Sequence, residues 1–309
     1  MKKFLSGLFS ILLFLSFMCL SLCGCGKNKS DSLKIVTSCY PIYIIVLNLT
    51  DGVEGIEVSN MSERHQGCLH DFQLESEDLK RIEKAQAFVI NGAGMESFLE
   101  KVTKELPKVK IVDSSSGISL IEDEDCHDDE EEHHHHHHHH DYNPHIWVSI
   151  GNYIKQVENI TEGLCQIDSR NKEIYQKNSQ KYIAKLTELK DQMHNELDNV
   201  KNKNIVTFHE AFPYFAKEFG LNIVSVINHD PENEPSAKEL KETIDSIKKT
   251  DTHALFVEPQ YSSGSAEIIS KETNAKIYTL DPAATGENSK DAYINIMKKN
   301  LEVLKVALN

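Results

Sequence analysis

The sequence predicts an α/β protein of two similar lobes with mainly parallel sheets, joined by one long rigid helix, with a metal site in the interlobe cleft. Three observations carry that prediction. Strand-like and helix-like periods alternate along most of the chain, which is the pattern of layered parallel sheets. The alternation occurs twice, on either side of a stretch from Ser169 to Val200 that holds neither glycine nor proline. One isolated histidine, His209, and one aspartate, Asp281, stand where strands are expected to end, the place where open α/β sheets form their ligand crevice.

Taken in order, the chain opens with Lys2 and Lys3 and an apolar run from Phe4 to Leu22. This is the form of an export signal. A membrane-spanning anchor is the alternative, because a span needs about 20 apolar residues. Leu22-Cys23-Gly24-Cys25 favours export, since it resembles a bacterial lipobox with small Gly24 before the cysteine to be acylated. Residues 1–24 are therefore read as a signal peptide, Cys25 as the lipidated mature N-terminus, and 25–32 as a polar tether. Cys23 is the poorer acceptor, because bulky Leu22 would occupy the cleavage position. The expected location is the outer face of a bacterial cell membrane.

An N-terminal lobe over 33–165 has strands expected at Leu33–Ser38, Gly55–Asn60, Ala87–Asn91 and Val109–Asp113, with helices at Pro41–Leu49, Ser76–Ala85 and Met95–Glu105. Residues 166–202 form the linking helix. Within it Ile174, Tyr175, Tyr182, Ile183, Leu186, Leu189, Met193 and Leu197 recur at helical spacing. At about 1.5 Å per residue it would reach roughly 45 Å, enough to cross both lobes and limit hinging. An ordinary amphipathic core helix has the same pattern. The C-terminal lobe over 203–309 repeats the plan. Its strands are expected at Asn204–Phe208, Asn222–Ile227, Ala254–Glu258 and Lys276–Leu280, its helices at Phe212–Phe219, Ser236–Lys249, Ala266–Thr273 and Ser289–Leu308.

Composition narrows the function. The 309 residues are 39% hydrophobic and 26% charged, ordinary for a soluble globular chain. Net charge is −15, and loss of the signal with its two lysines takes it to −17. Such a surface repels phosphate backbones, so nucleic acid is an unsuitable partner. Beyond Cys25 the cysteines are Cys39, Cys68, Cys126 and Cys165, widely spaced and without a CxxC pair. That is neither a disulfide framework nor a cysteine zinc cluster. Cys39 and Cys165 sit in apolar segments and read as core, whereas Cys68 lies beside His70 and is a candidate minor metal contact.

Residues 114–143 break the pattern. Few apolar residues follow Ile121, and nine acidic residues flank His127 and precede His133, His134, His135, His136, His137, His138, His139 and His140. This stretch cannot bury a core and is expected to be a disordered loop. Clustered imidazoles and carboxylates bind zinc, copper, nickel or cobalt without fixed geometry. An affinity tag is disfavoured by the mid-chain position, and a pH-responsive or merely tolerated insert remains an alternative. The favoured reading is an accessory metal collector near a tighter site.

That tighter site is expected at His70, His145, His209 and Asp281. His70 precedes the helix opened by Ser76, and His145 follows Asn143-Pro144 on the turn leaving the loop. His209 and Asp281 follow strands. Three imidazoles and a carboxylate suit a closed tetrahedral zinc site, in contrast to a hydrolytic zinc, which keeps a position open for water. Glu258, at another strand end, is a candidate for orienting His209 from behind, though a structural carboxylate fits equally.

The segments around Gly67-Cys68-Leu69-His70, Asn143-Pro144-His145-Ile146-Trp147, Thr207-Phe208-His209-Glu210-Ala211-Phe212-Pro213 and Leu280-Asp281-Pro282 resemble the ligand motifs of the zinc/manganese solute-binding lipoproteins of ABC importers. Val36–Pro41, Asn91–Glu96 and Glu234–Lys238 extend the resemblance in order along nearly the whole mature chain. It implies two α/β lobes joined by a rigid helix, one metal in the cleft, and delivery to an ABC membrane permease by a monomeric carrier. It implies Zn2+, with Mn2+ as the alternative: manganese members tend to carry a carboxylate where this chain has His209 and lack a histidine-rich loop. Asp281 is the most replaceable of the four, because some zinc members use water or another carboxylate there. Cys68-Leu69 departs from the usual short polar or proline-containing pair, which bears on loop geometry before His70.

Other functions fit the residues less well. A secreted metallohydrolase would need a general base, for which Glu210 is the candidate, but His209-Glu210-Ala211-Phe212-Pro213 lacks the second histidine of HExxH. The expectation is therefore not an enzyme. A surface adhesin or zinc-buffering accessory would make the histidine loop the whole function.

Overall fold

Short apolar runs become strands in two sheets of the same topology. The computed structural model describes residues 32–64, 72, 74–122, 142–227, 235–260 and 263–309. The first sheet holds β1 (Leu33–Thr37), β2 (Ile56–Asn60), β3 (Ala87–Ile90) and β4 (Lys110–Asp113) in the order β2-β1-β3-β4. The second holds β5 (Asn204–Thr207), β6 (Asn222–Val226), β7 (Ala254–Val257) and β8 (Lys276–Thr279) in the order β6-β5-β7-β8. Every pairing between these strands is parallel. The inner strands β3 (AFVI) and β7 (ALFV) are buried throughout, as continuous apolar runs covered on both faces must be.

The helices are α1 (Tyr40–Leu49), α2 (Ser76–Glu83), α3 (Leu99–Glu105), α4 (Ile150–Ile167), α5 (Lys172–Leu197), α6 (Pro213–Phe219), α7 (Ala237–Thr250), α8 (Gly264–Thr273) and α9 (Ala292–Ala307). Local chemistry sets several ends. Ser236 and Glu239 form a reciprocal capping box at the start of α7. Gly220, at φ 64°, closes α6 in the left-handed conformation that glycine adopts without strain.

Three expectations need correction. The helix expected over Met95–Glu105 starts only at Leu99, because the turn from Gly92 to Gly94 has positive φ at all three residues, Ala93 included, and Met95–Phe98 stays outside the helix. The long helix expected over Ser169–Val200 is α5, 26 residues and about 39 Å, preceded by a 3-10 turn at Ser169–Asn171. Cys165, read as core, is only half-buried, whereas Cys39 is buried.

One helix, α4, was not anticipated. Gly151 and Gly163 weaken its helical signal, yet Gly163 is there for packing. A Cβ at that position would lie 2.5 Å from Val112 Cγ1 on β4. Ser149 caps the helix through its side chain, and Glu218 of α6 accepts the Ile150 and Gly151 N–H groups at 2.7 and 2.9 Å.

Leu33–Asn309 forms one compact unit. One apolar core runs from β1 and β3 through Tyr153, Tyr182 and Leu186 of α4 and α5 to Phe215, Phe219 and Tyr293 on the C-terminal side. Tyr153 and Tyr293 stack with ring centroids 3.7 Å apart. The two sheets are thus joined by buried aromatic contact as well as by the chain. Among the described residues no helix is long and apolar enough to cross a membrane.

Candidate metal centre

Strand register brings two of the C-terminal candidates, His209 and Glu258, together. In the β5–β7 pair Thr207 lies opposite Phe256, so His209 and Glu258 leave the sheet side by side, each two residues further on. His209 Nδ1 is 2.9 Å from Glu258 Oε1. Glu258 is 2% exposed, and Gln260 Nε2 donates to its other oxygen. A carboxylate that accepts on both oxygens keeps the His209 proton on Nδ1, so the lone pair that can meet a metal is on Nε2.

His145 is oriented by its own turn. Asn143 Oδ1 accepts the His145 backbone N–H at 3.0 Å, an Asx turn built around Pro144. The same oxygen lies 3.1 Å from His145 Nδ1. An amide oxygen only accepts, so Nδ1 donates here too and Nε2 carries the lone pair. The buried His145 ring meets the His209 ring edge to face, centroids 4.8 Å apart.

Asp281 follows β8. Its backbone is held in both directions by Asn300, which accepts from the Asp281 N–H at 3.0 Å and donates to the Asp281 carbonyl at 2.7 Å. Ala283 N–H donates to Asp281 Oδ1 at 2.8 Å. Burial pushes the carboxyl up from its ordinary value, opposed by that N–H and by Lys299. Trp147 Nε1 donates to the Pro282 carbonyl at 2.7 Å, tying the residue after Asp281 to the segment that carries His145.

A buried polar network supports the His145 turn. Asn91 Nδ2 donates to the Pro144 carbonyl at 2.9 Å, while Glu96 accepts the Asn91 and Gly92 N–H groups at 2.8 and 3.0 Å. Gln156 donates to Asn91 Oδ1 and to Ser114 Oγ. Burial pushes the Glu96 carboxyl up to about 7, outweighing the donors around it.

His145 and His209 are therefore brought ring to ring, with Glu258 behind one of them. His70, Cys68, Cys25, His127 and His133–His140 lie outside the described residues. Among the described residues, no three of His, Cys, Asp and Glu lie close enough to share an ion, so Asp281 is not brought up to the His145–His209 pair in this structure. The stem of the acidic insert is described: Glu122 and Tyr142 form an antiparallel bridge, and Tyr214 Oη accepts from Ile121 N–H and donates to the Asn143 carbonyl. Sequence reasoning missed Asn143, Gln260 and Asn300 as parts of the site. Asn143 had a readable signal, the Asn-Pro turn before a histidine; Gln260 lies two residues after Glu258 but has no motif to mark it, and Asn300 becomes a neighbour of the site through the fold alone.

The model of one protein family, described as zinc-uptake complex component A, periplasmic, matches residues 35–307. The high-affinity zinc uptake system protein ZnuA of Bacillus subtilis is 34% identical over 320 aligned positions, covering 100% of this chain and 99% of its own. The crystal structure of Zn(II)-bound AdcA from Streptococcus pneumoniae superposes with a TM-score of 0.76 at 29% identity; 90% of this chain matches 58% of that longer one. FpvC from Pseudomonas aeruginosa, solved with Ni2+, gives a TM-score of 0.75 at 27% identity over 90% of this chain and 97% of its own; it has also been solved with Mn2+.

Proposed function

Because the chain belongs to the ZnuA family of zinc-uptake binding components, we propose that it captures zinc through His70, His145, His209 and Asp281 and delivers it to an ABC import permease. The single observation that supports this ligand set best is the edge-to-face pair of His145 and His209, each with Nδ1 hydrogen-bonded to a side-chain oxygen. Imidazole nitrogen suits zinc better than manganese, which prefers oxygen. Zinc is cargo here: it is bound by deprotonated ligands, carried and released, and no bond of a substrate is broken on it.

In this reading Asp281 supplies the carboxylate, and the Trp147–Pro282 bond keeps its loop against the His145 segment. Residues 33–165 and 203–309 act as the two lobes, with 166–202 between them, and the continuous aromatic core restrains their opening. The mature protein works outside the cytoplasmic membrane as a monomer tethered by lipid on Cys25. His127 and His133–His140 collect metal ahead of the tight site.

Calorimetry tests the ligand set. The chain lacking residues 122–140 should take up one zinc tightly and prefer it to manganese, and H145A or H209A should each abolish the tight phase. Tight binding that survives both substitutions, or that vanishes with the loop alone, would overturn the reading.

A further inference from the structure

We infer that Asn143 is a positioning residue that sets both the tautomer of His145 and the spacing between the two histidines. Its side chain uses both ends. Oδ1 receives the His145 backbone N–H at 3.0 Å and His145 Nδ1 at 3.1 Å. Nδ2 donates at 2.8 Å to the carbonyl of Glu210, the residue after His209. The Asn143 backbone is held as well. Its N–H donates to the Ile121 carbonyl at 2.9 Å, and its carbonyl accepts from Tyr214 Oη at 2.8 Å. The residue is 3% exposed, so these bonds face little competition from water.

The consequence is geometric. An imidazole beside one fixed acceptor and carrying its proton on Nδ1 turns its Nε2 lone pair in a single direction. The Glu210 bond holds the segment that carries His209 at a set distance from that ring. One amide thus joins the N-terminal and C-terminal halves of the histidine pair, whereas Glu258 bonds His209 within the C-terminal half. Aspartate at 143 would keep the acceptor toward His145 but lose the donor toward Glu210; alanine would lose both.

This inference rests on the reading of His145 and His209 as zinc ligands, and its test separates the two. Nitrogen-15 NMR of the metal-free full chain, with H145Q identifying the His145 signals, should show the Nδ1–H tautomer at His145. In N143A both tautomers should appear and zinc affinity, measured by chelator competition, should fall about ten- to a hundredfold. N143D should restore the Nδ1–H tautomer but only part of the affinity, because it lacks the donor to the Glu210 carbonyl. An Nε2–H tautomer in the unsubstituted chain, an N143A protein unchanged in tautomer and affinity, or an N143D protein indistinguishable from N143A would each overturn the inference. Unchanged zinc affinity in H145Q would instead sink the ligand reading, and the tautomer result would still stand.

Discussion

His209 Nδ1 and Glu258 Oε1 lie 2.9 Å apart at the carboxyl ends of two paired strands. The carboxylate is buried and takes a second bond from Gln260, so the imidazole has one orientation and one tautomer. E258A should therefore weaken zinc binding about ten- to a hundredfold. E258Q, which retains an oxygen for His209, should lose less. Competition with a fluorescent zinc chelator ranks the two, and equal losses would show that the acceptor is not what matters.

Trp147 is the one tryptophan in the chain, is buried, and has its ring centroid 5.2 Å from that of His145. Its emission should respond to zinc at the ordered site and should not respond to metal held only by the insert. A fluorescence titration of the full chain should saturate at one zinc, and H145A should remove the change. W147F, which deletes the bond to the Pro282 carbonyl, should cost about 1–3 kcal/mol of stability by leaving a buried acceptor short of its donor.

Glu96 predicts a pH dependence of stability in the metal-free protein. Its carboxyl holds a proton to about 7 when folded, against 4.5 as its ordinary value. Between those values the folded state binds the extra proton, so this contribution is complete below about 4.5 and is lost as pH rises toward 7. The loss is on the order of 3 kcal/mol. Urea unfolding in chelator at pH 5 and pH 7 should show the decline. In E96Q the part due to this residue should be absent, leaving a flatter profile even if the variant is less stable throughout.

Gly163 packs α4 directly on β4, where an added Cβ would meet Val112 at 2.5 Å. G163A should destabilise the fold by about 1–3 kcal/mol through overpacking, although alanine is the better helix former. Zinc affinity in the folded fraction should be unchanged, because Gly163 makes no contact with the candidate site. Denaturation midpoints and zinc titrations of the same samples check both halves.

Much of the architecture was legible because it is local. Runs such as Ala87–Ile90 and Ala254–Val257 are buried on both faces and so are apolar throughout, and Ser236 with Glu239 marks the start of a helix within four residues. The failures were also local signals, overridden by packing. The Gly151 and Gly163 that hid α4 answer to contacts with Glu218 and Val112, 67 and 51 residues away in sequence. The Met95 end of the next expected helix was lost to a left-handed turn that Gly92 and Gly94 permit.

By itself the sequence determined the strand order, every helix but α4, the two-lobe repeat, the family resemblance and the candidate ligands, since each depends on residue type and short spacing. The tertiary structure alone decided that His209 faces Glu258, that Asn143 spans from His145 to Glu210, and that Trp147 holds the loop after Asp281. These bonds join residues brought together by parallel register and interlobe packing, and a hydrogen bond needs its partners within about 3 Å. Spacing along a chain carries no record of that distance until the core has formed.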